Sequence, residues 1–241
     1  MPFCFPVGYT FGVTRLNIGA NAVAVNVIYL HGFASSPASG KAALFKERFR
    51  ALGLPLRVPD LNVPTFERLM FTAMLQRVAE EVRACPPGPV YLIGSSLGGL
   101  VALHFTDRYR PVEGARVERL FLMAPALDFV SNRSQQLGED GLRRWRETNT
   151  LPVSHYGYNE NRSVHYALYE DISGYHSYDV RLELPILIVH GTRDESVNHE
   201  QSVRFAAGRS NVDLRLVDSD HSLMDQMDMM WDVSLDFFGL R

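Results

Sequence analysis

Apolar residues recur along this chain in short runs bounded by glycine and proline, and the runs alternate with stretches whose apolar positions fall at helical spacing. Val23 to Leu30 reads as a strand buried on both faces, Val90 to Ile93, Val117 to Met123 and Pro185 to His190 as further apolar strands, and Val212 to Val217 as another. Residues 7 to 16 alternate Gly, Thr and Phe and predict a strand joined to the next by a hairpin through Asn17 to Asn21, while Leu54 to Val58 predicts a short one. Helical patterns run from Lys41 to Leu52, stopped by Gly53, and from Phe66 to Arg83, with Thr65 as N-cap. Further helices are expected over Leu100 to Tyr109, Asn198 to Ala207 and about Leu223 to Phe238. Strands alternating with helices imply right-handed crossovers and a mainly parallel central sheet flanked by helices.

From Asp128 to Tyr178 the rhythm changes to a polar, arginine-containing segment that becomes rich in tyrosine and histidine. We read a small cap over the sheet edge, spanning about residues 128–180. Leu151 to Tyr156 and Val164 to Tyr169 are expected to pair as a hairpin inside it.

Length and composition narrow the class. With 241 residues, 46% of them hydrophobic, the chain can bury one substantial core, so a single domain is expected. A net charge of -3 gives no electrostatic reason to expect nucleic acid or an anionic membrane as partner. The start lacks the charged and apolar regions of a secretory signal, and Cys4 and Cys85 lie in unrelated contexts, so reduced thiols and a cytoplasmic location are expected. Clustered metal ligands are missing from the pattern, as is the lysine of a phosphate-binding loop, and no cofactor is expected.

The chemistry concentrates in Gly94-Ser95-Ser96-Leu97-Gly98-Gly99, where an apolar run meets a sharp turn and a helix. A nucleophile elbow has this order, and it needs very small residues two places either side of the nucleophile. Ser96 meets that condition with Gly94 and Gly98; Ser95 would set Leu97 where a small residue must stand. A serine hydroxyl needs a general base, and the base needs an anion. In chain order, Asp194 follows one strand and His221 the next, so three loops would converge on Ser96 at the carboxyl edge of the sheet. Asp128 is the alternative acid. The N–H groups of Phe33 and Leu97 are the expected oxyanion donors.

These residues, with His31-Gly32-Phe33, Ser35-Ser36-Pro37, Lys41-Ala42 and Gly191-Thr192-Arg193-Asp194, give the chain a resemblance to the α/β-hydrolase superfamily. Within it the pattern is most similar to small YqiA-like bacterial esterases and to abhydrolase-domain acyl thioesterases. The resemblance implies an α/β-hydrolase fold, with Ser96, Asp194 and His221 as nucleophile, acid and base, Phe33 and Leu97 at the oxyanion, and small-molecule esters or thioesters as substrates. Peptide or amide cleavage, and a non-catalytic binding protein on the same fold, are the alternatives. Phe33, Tyr156 and Tyr158 are candidate substrate contacts, although the tyrosines of the cap could equally form its own core. The arginines at 133, 143, 144 and 146 either line a solvated helix face or meet an anionic leaving group. Oligomeric state is not legible.

Overall fold

The computed structural model describes residues 25–155 and 160–241. The strand expected over residues 7–16 and the hairpin through Asn17 to Asn21 lie outside the described residues. Along the chain come β1 (Asn26–Leu30), α1 (Gly40–Ala51), β2 (Leu56–Arg57), α2 (Phe71–Ala84), β3 (Val90–Ser95), α3 (Leu97–Arg108) and β4 (Val117–Met123). The cap follows as α4 (Phe129–Thr148), β5 (Leu151–His155), β6 (Glu160–Val164) and α5 (Ala167–Ile172). The alternation then resumes with β7 (Ile186–Gly191), α6 (Glu200–Ala206), β8 (Val212–Val217) and α7 (Met227–Phe238).

Among the described residues six strands form one sheet in the order β2-β1-β3-β4-β7-β8, and every neighbouring pair of them is parallel. Successive side chains of a strand point to opposite faces, and both faces here are covered. Ile28, Leu30, Leu92, Leu120, Leu122 and Ile188 join one cluster with α2, α3 and the cap. Val27, Tyr29, Ile93, Phe121 and Val189 join the other, against Phe45 and Phe49 of α1 and Met227 and Met230 of α7. This two-sided burial is why the strands read as unbroken apolar runs. Among the described residues no helix is long and apolar enough to cross a membrane.

Two expected elements differ. The helix anticipated from Phe66 begins at Phe71, because backbone groups in the intended first turn are used elsewhere: the Glu67 carbonyl accepts from His165 N–H at 2.8 Å, and Met70 N–H donates to Val63 at 3.1 Å. Thr65 Oγ1 still accepts from Arg68 N–H, at 3.3 Å, but it closes a separate turn. In the cap, Leu151 pairs with Val164, so the second hairpin strand ends where it was expected to start. The following residues are helical, with Tyr166, Leu168 and Ile172 buried and Trp145 Nε1 donating to the Val164 carbonyl at 2.8 Å.

Candidate active site

β3 ends at Ser95 and α3 begins at Leu97, leaving Ser96 between them at φ 54° and ψ −118°. A side-chain-bearing residue at positive φ costs about 1–3 kcal/mol and persists only where its surroundings over-determine it. Here Ser96 N–H donates to Met123 at 2.9 Å, and the Ser96 carbonyl accepts from Gly99 N–H at 2.9 Å and Ala126 N–H at 3.2 Å. The glycine requirement is equally concrete. A Cβ on Gly94 would lie 2.6 Å from the Gly98 carbonyl oxygen, and one on Gly98 would lie 2.1 Å from that of Leu30.

The turns after β7 and β8 bring the other two groups to the same rim. His221 Nε2 lies 3.1 Å from Ser96 Oγ, and its Nδ1 lies 2.7 Å from Asp194 Oδ2. The Asp194 side chain has no exposure. Its Oδ1 accepts from Ser196 N–H at 2.9 Å and Val197 N–H at 2.8 Å, and its Oδ2 is also 3.1 Å from His190 Nε2. Burial pushes this carboxyl upward, but the His190 and His221 hydrogen bonds outweigh it and hold the group well below the ordinary carboxylate value of 3.8. With Asp194 ionised, the proton of a neutral His221 belongs on Nδ1, which leaves Nε2 free to accept from the Ser96 hydroxyl.

The two turns are also joined to each other. Thr192 N–H donates to Val217 at 2.8 Å and Arg193 N–H to Ser219 at 3.0 Å, and a Cβ on Gly191 would sit 2.3 Å from the Ser219 carbonyl oxygen.

Leu97 and Phe33, which share a cavity wall with Ser96, carry two further backbone amides. Leu97 N–H opens α3, where the helix leaves its first donors unpaired. His31 Nδ1 donates to the Gly32 carbonyl at 3.0 Å while its Nε2 accepts from Leu61 N–H at 3.0 Å. Because a trans peptide sets C=O and N–H in opposite directions, this bond turns the Phe33 N–H away from His31. A Cβ on Gly32 would lie 3.2 Å from Ser96 Cβ, so the loop carrying Phe33 runs against the serine.

Ser96 and His221 lie between two cavities. One, of about 1030 Å³, is walled by Lys41, Arg193, Asp194, Asp220 and Met224. The other, of about 340 Å³, lies toward the cap and is walled by Phe33, Leu97, Phe129, Asn132, Arg133 and Val153. In the first, burial pushes the Lys41 amine down to about 8, against the opposing pull of Asp194 and Asp220.

Of the sequence candidates, Ser96, Asp194 and His221 come together, and Phe33 and Leu97 flank them. Asp128 does not join them: its Oδ1 accepts from Ser131 N–H at 3.2 Å as the N-cap of α4. Tyr156 and Tyr158 lie outside the described residues. Tyr166 and Tyr169 stack on each other and meet Trp145 edge-on, and Tyr175 packs on Phe71, so these three belong to the cap and its seat on the core. Of the arginines, Arg143 pairs with Asp140 and Arg146 donates to the Tyr166 hydroxyl, while Arg133 faces the smaller cavity. Sequence reasoning gave no site role to His190, Lys41 or Asn132. For His190 a signal existed, since His190-Gly191-Thr192-Arg193-Asp194 sets an imidazole four residues before the acid. Among the described residues no group of three or more His, Cys, Asp or Glu is placed to hold a metal ion.

Comparison with known proteins places this geometry in context. Residues 26–238 match the model of an uncharacterised protein family, UPF0227. Chloroplastic phytyl ester synthase 1 of Arabidopsis thaliana is 33% identical over 92 residues, and the match spans 36% of this chain and 12% of that protein's length. Alpha/beta hydrolase domain-containing protein 10 from mouse superposes with a TM-score of 0.73 over 90% of both chains at 20% identity. Est1E from Butyrivibrio proteoclasticus superposes with a TM-score of 0.69 over 90% of this chain and 87% of that one at 19% identity. The parallel sheet with helices on both faces is thus an α/β-hydrolase fold.

Proposed function

The chain belongs to the uncharacterised protein family UPF0227, and we propose that it is a serine hydrolase cleaving carboxylic ester or thioester bonds of small or acyl-chain substrates. The observation that carries this is the single imidazole of His221, within hydrogen-bond distance of the Ser96 hydroxyl on one side and the buried Asp194 carboxylate on the other. In this reading Ser96 Oγ attacks the substrate carbonyl carbon as His221 Nε2 takes its proton. The carbonyl oxygen becomes an anion held by the N–H groups of Phe33 and Leu97. Collapse breaks the bond to the alcohol or thiol, which leaves with the proton from His221, and Ser96 holds the acyl group as an ester. Water, deprotonated by His221, then attacks that ester and releases the acid and the Ser96 hydroxyl.

Asp194 keeps Nδ1 protonated and stabilises the imidazolium in both half-reactions. No step requires a cofactor. A serine nucleophile yields an acyl ester here, whereas an aspartate in its place would direct the fold to haloalkane or epoxide opening. Backbone amides that hold a carbonyl oxygen suit acyl transfer with either an oxygen or a sulfur leaving group.

A fluorophosphonate probe tests the assignment directly: wild type is labelled and the folded Ser96→Ala protein is not. Turnover of p-nitrophenyl esters beside matching acyl-coenzyme A thioesters then ranks leaving group and chain length, and Ser96→Ala lowers kcat by about four orders of magnitude or more. A folded wild type that neither reacts with the probe nor turns over any of these compounds would instead be a binding protein.

A further inference from the structure

We infer that the cavity under the cap receives a free carboxylate carried by the substrate, and that Arg133 recognises it. The inference rests on the reading of Ser96 as nucleophile and names the class of ester it acts on.

Arg133 projects from α4 into the cavity that Ser96, Leu97 and His221 also line. Its guanidinium lies 4.6 Å from the Phe33 ring centroid and 5.2 Å from that of Phe129, and its NH1 donates to Gln136 Oε1 at 2.9 Å. Among the described residues no carboxylate lies within ion-pair distance of it, whereas Arg48, Arg57, Arg83 and Arg193 each meet one. Residues 1–24 and 156–159 contain no Asp or Glu that could supply the missing partner. A cation removed from water without a counter-ion is costly, and burial pushes this guanidinium below its ordinary value. The aromatic faces and one amide oxygen compensate in part, leaving several of its five N–H donors unassigned.

A neighbouring group carries the same sign independently. Asp128 N–H donates to Gln201 Oε1 at 3.0 Å, which orients that amide so that Gln201 Nε2 donates to Asn132 Oδ1 at 2.5 Å. Asn132 is consequently turned with Nδ2 as its remaining donor. That nitrogen is buried, the residue being 8% exposed, and it has no partner among the described residues. Asn132 lines the same cavity, which has no Asp or Glu in its wall, whereas the larger cavity contains Asp194, Glu195 and Asp220. An anionic, planar, two-oxygen acceptor matches a guanidinium fork beside an amide donor. It also matches the contrast in sign between the two cavities.

The carboxylate could arrive on the acyl part or on the leaving group, and two pairs of substrates separate these. The acyl arm compares the methyl half-esters of succinic, glutaric and adipic acids with uncharged methyl esters of equal length. The leaving-group arm compares 4-acetoxybenzoate with phenyl acetate. In one arm the wild type has the higher kcat/KM for the charged member, and Arg133→Gln lowers that charged-to-neutral ratio about 30-fold. Arg133→Lys restores part of it, and fluorophosphonate labelling of each variant verifies that the rim is intact. A ratio that does not move with Arg133→Gln, or a wild type that disfavours the charge in both arms, overturns the inference.

Binding is read apart from turnover by calorimetric titration of the Ser96→Ala protein with monomethyl adipate and 4-acetoxybenzoate. Affinity for one of them that falls about 30-fold in Ser96→Ala/Arg133→Gln supports the carboxylate site even if no ester is turned over; that absence of turnover would count against the hydrolase reading alone. No binding of either compound, or binding unchanged by the second substitution, counts against the carboxylate site.

Discussion

The rim of the sheet and the cap above it are built on different terms. At the rim, position is set by backbone against backbone: Gly98 stands where a methyl group would lie 2.1 Å from the Leu30 carbonyl oxygen, and Gly191 where one would lie 2.3 Å from that of Ser219. In the cap, position is set by side chains on largely polar elements. Trp145 holds the Val164 carbonyl, Asp128 caps α4, and Gly138 interrupts that helix at φ 64° with open space around it. The first kind of construction tolerates almost no change and holds reacting groups to a fraction of an ångström. The second tolerates substitution at many positions and shapes what can approach.

Substitutions separate the two regions by the size and kind of their effects. The largest expected effect is at the relay. Asp194→Asn lowers kcat by about four orders of magnitude, because the amide favours the wrong imidazole tautomer, while Asp128→Asn, still able to cap α4, leaves turnover within about threefold. Steady-state rates on one p-nitrophenyl ester decide it, and comparable losses in both would erase the distinction between rim acid and cap residue. Next is Trp145→Ala, which empties a buried site in the cap and costs about 3–5 kcal/mol in stability by denaturant unfolding. Its signature is a changed preference among acyl lengths, with labelling of Ser96 retained.

A methyl group sharpens the contrast further. Gly98→Ala forces backbone apart and costs about 3 kcal/mol or more together with most of the activity; Gly138→Ala meets nothing within 4 Å and costs about 1–3 kcal/mol from its positive-φ backbone alone. Thermal unfolding of both proteins tests the pair.

The smallest effect is at Lys41, partly buried in the wall of the larger cavity. Its amine is pushed from 10.5 down to about 8, so the unfolded chain binds the proton more tightly and stability rises with pH between those values. Lys41→Met removes the penalty of burying the charge and raises the melting temperature at pH 7. Above pH 8 the gain shrinks, and it is largely gone near pH 10.5; a gain that stays constant with pH would show that burial of the charge is not its cause.

The same difference decides what could be read before the fold was known. Gly94, Ser96 and Gly98 are legible because close approach and a strained serine demand particular residue types at fixed spacing. Strands β4 and β8 are legible because apolar pattern and turn signals agree at both ends. α4 is not, since its buried residues are Phe129, Asn132 and Trp145, and Gly138 breaks the helical period between them. The start of α2 is lost for a reason outside its own segment, as the Glu67 carbonyl is taken by His165 nearly a hundred residues later. His190 has the local spacing to be noticed, but its role depends on two partners it meets only in the folded chain: Ser202 at Nδ1 and Asp194 at Nε2.

The joined turns after β7 and β8 have a bearing on how such a protein diversifies. The segments holding Asp194 and His221 are tied together by their own amides and by the close approach at Gly191, so their spacing is set at the rim itself, and the cap reaches them through side chains such as Gln136, which donates to the Ser196 carbonyl. A different side chain on the polar segment between Asp128 and Tyr178 would then change what reaches the serine while leaving the spacing of acid and base as it stands.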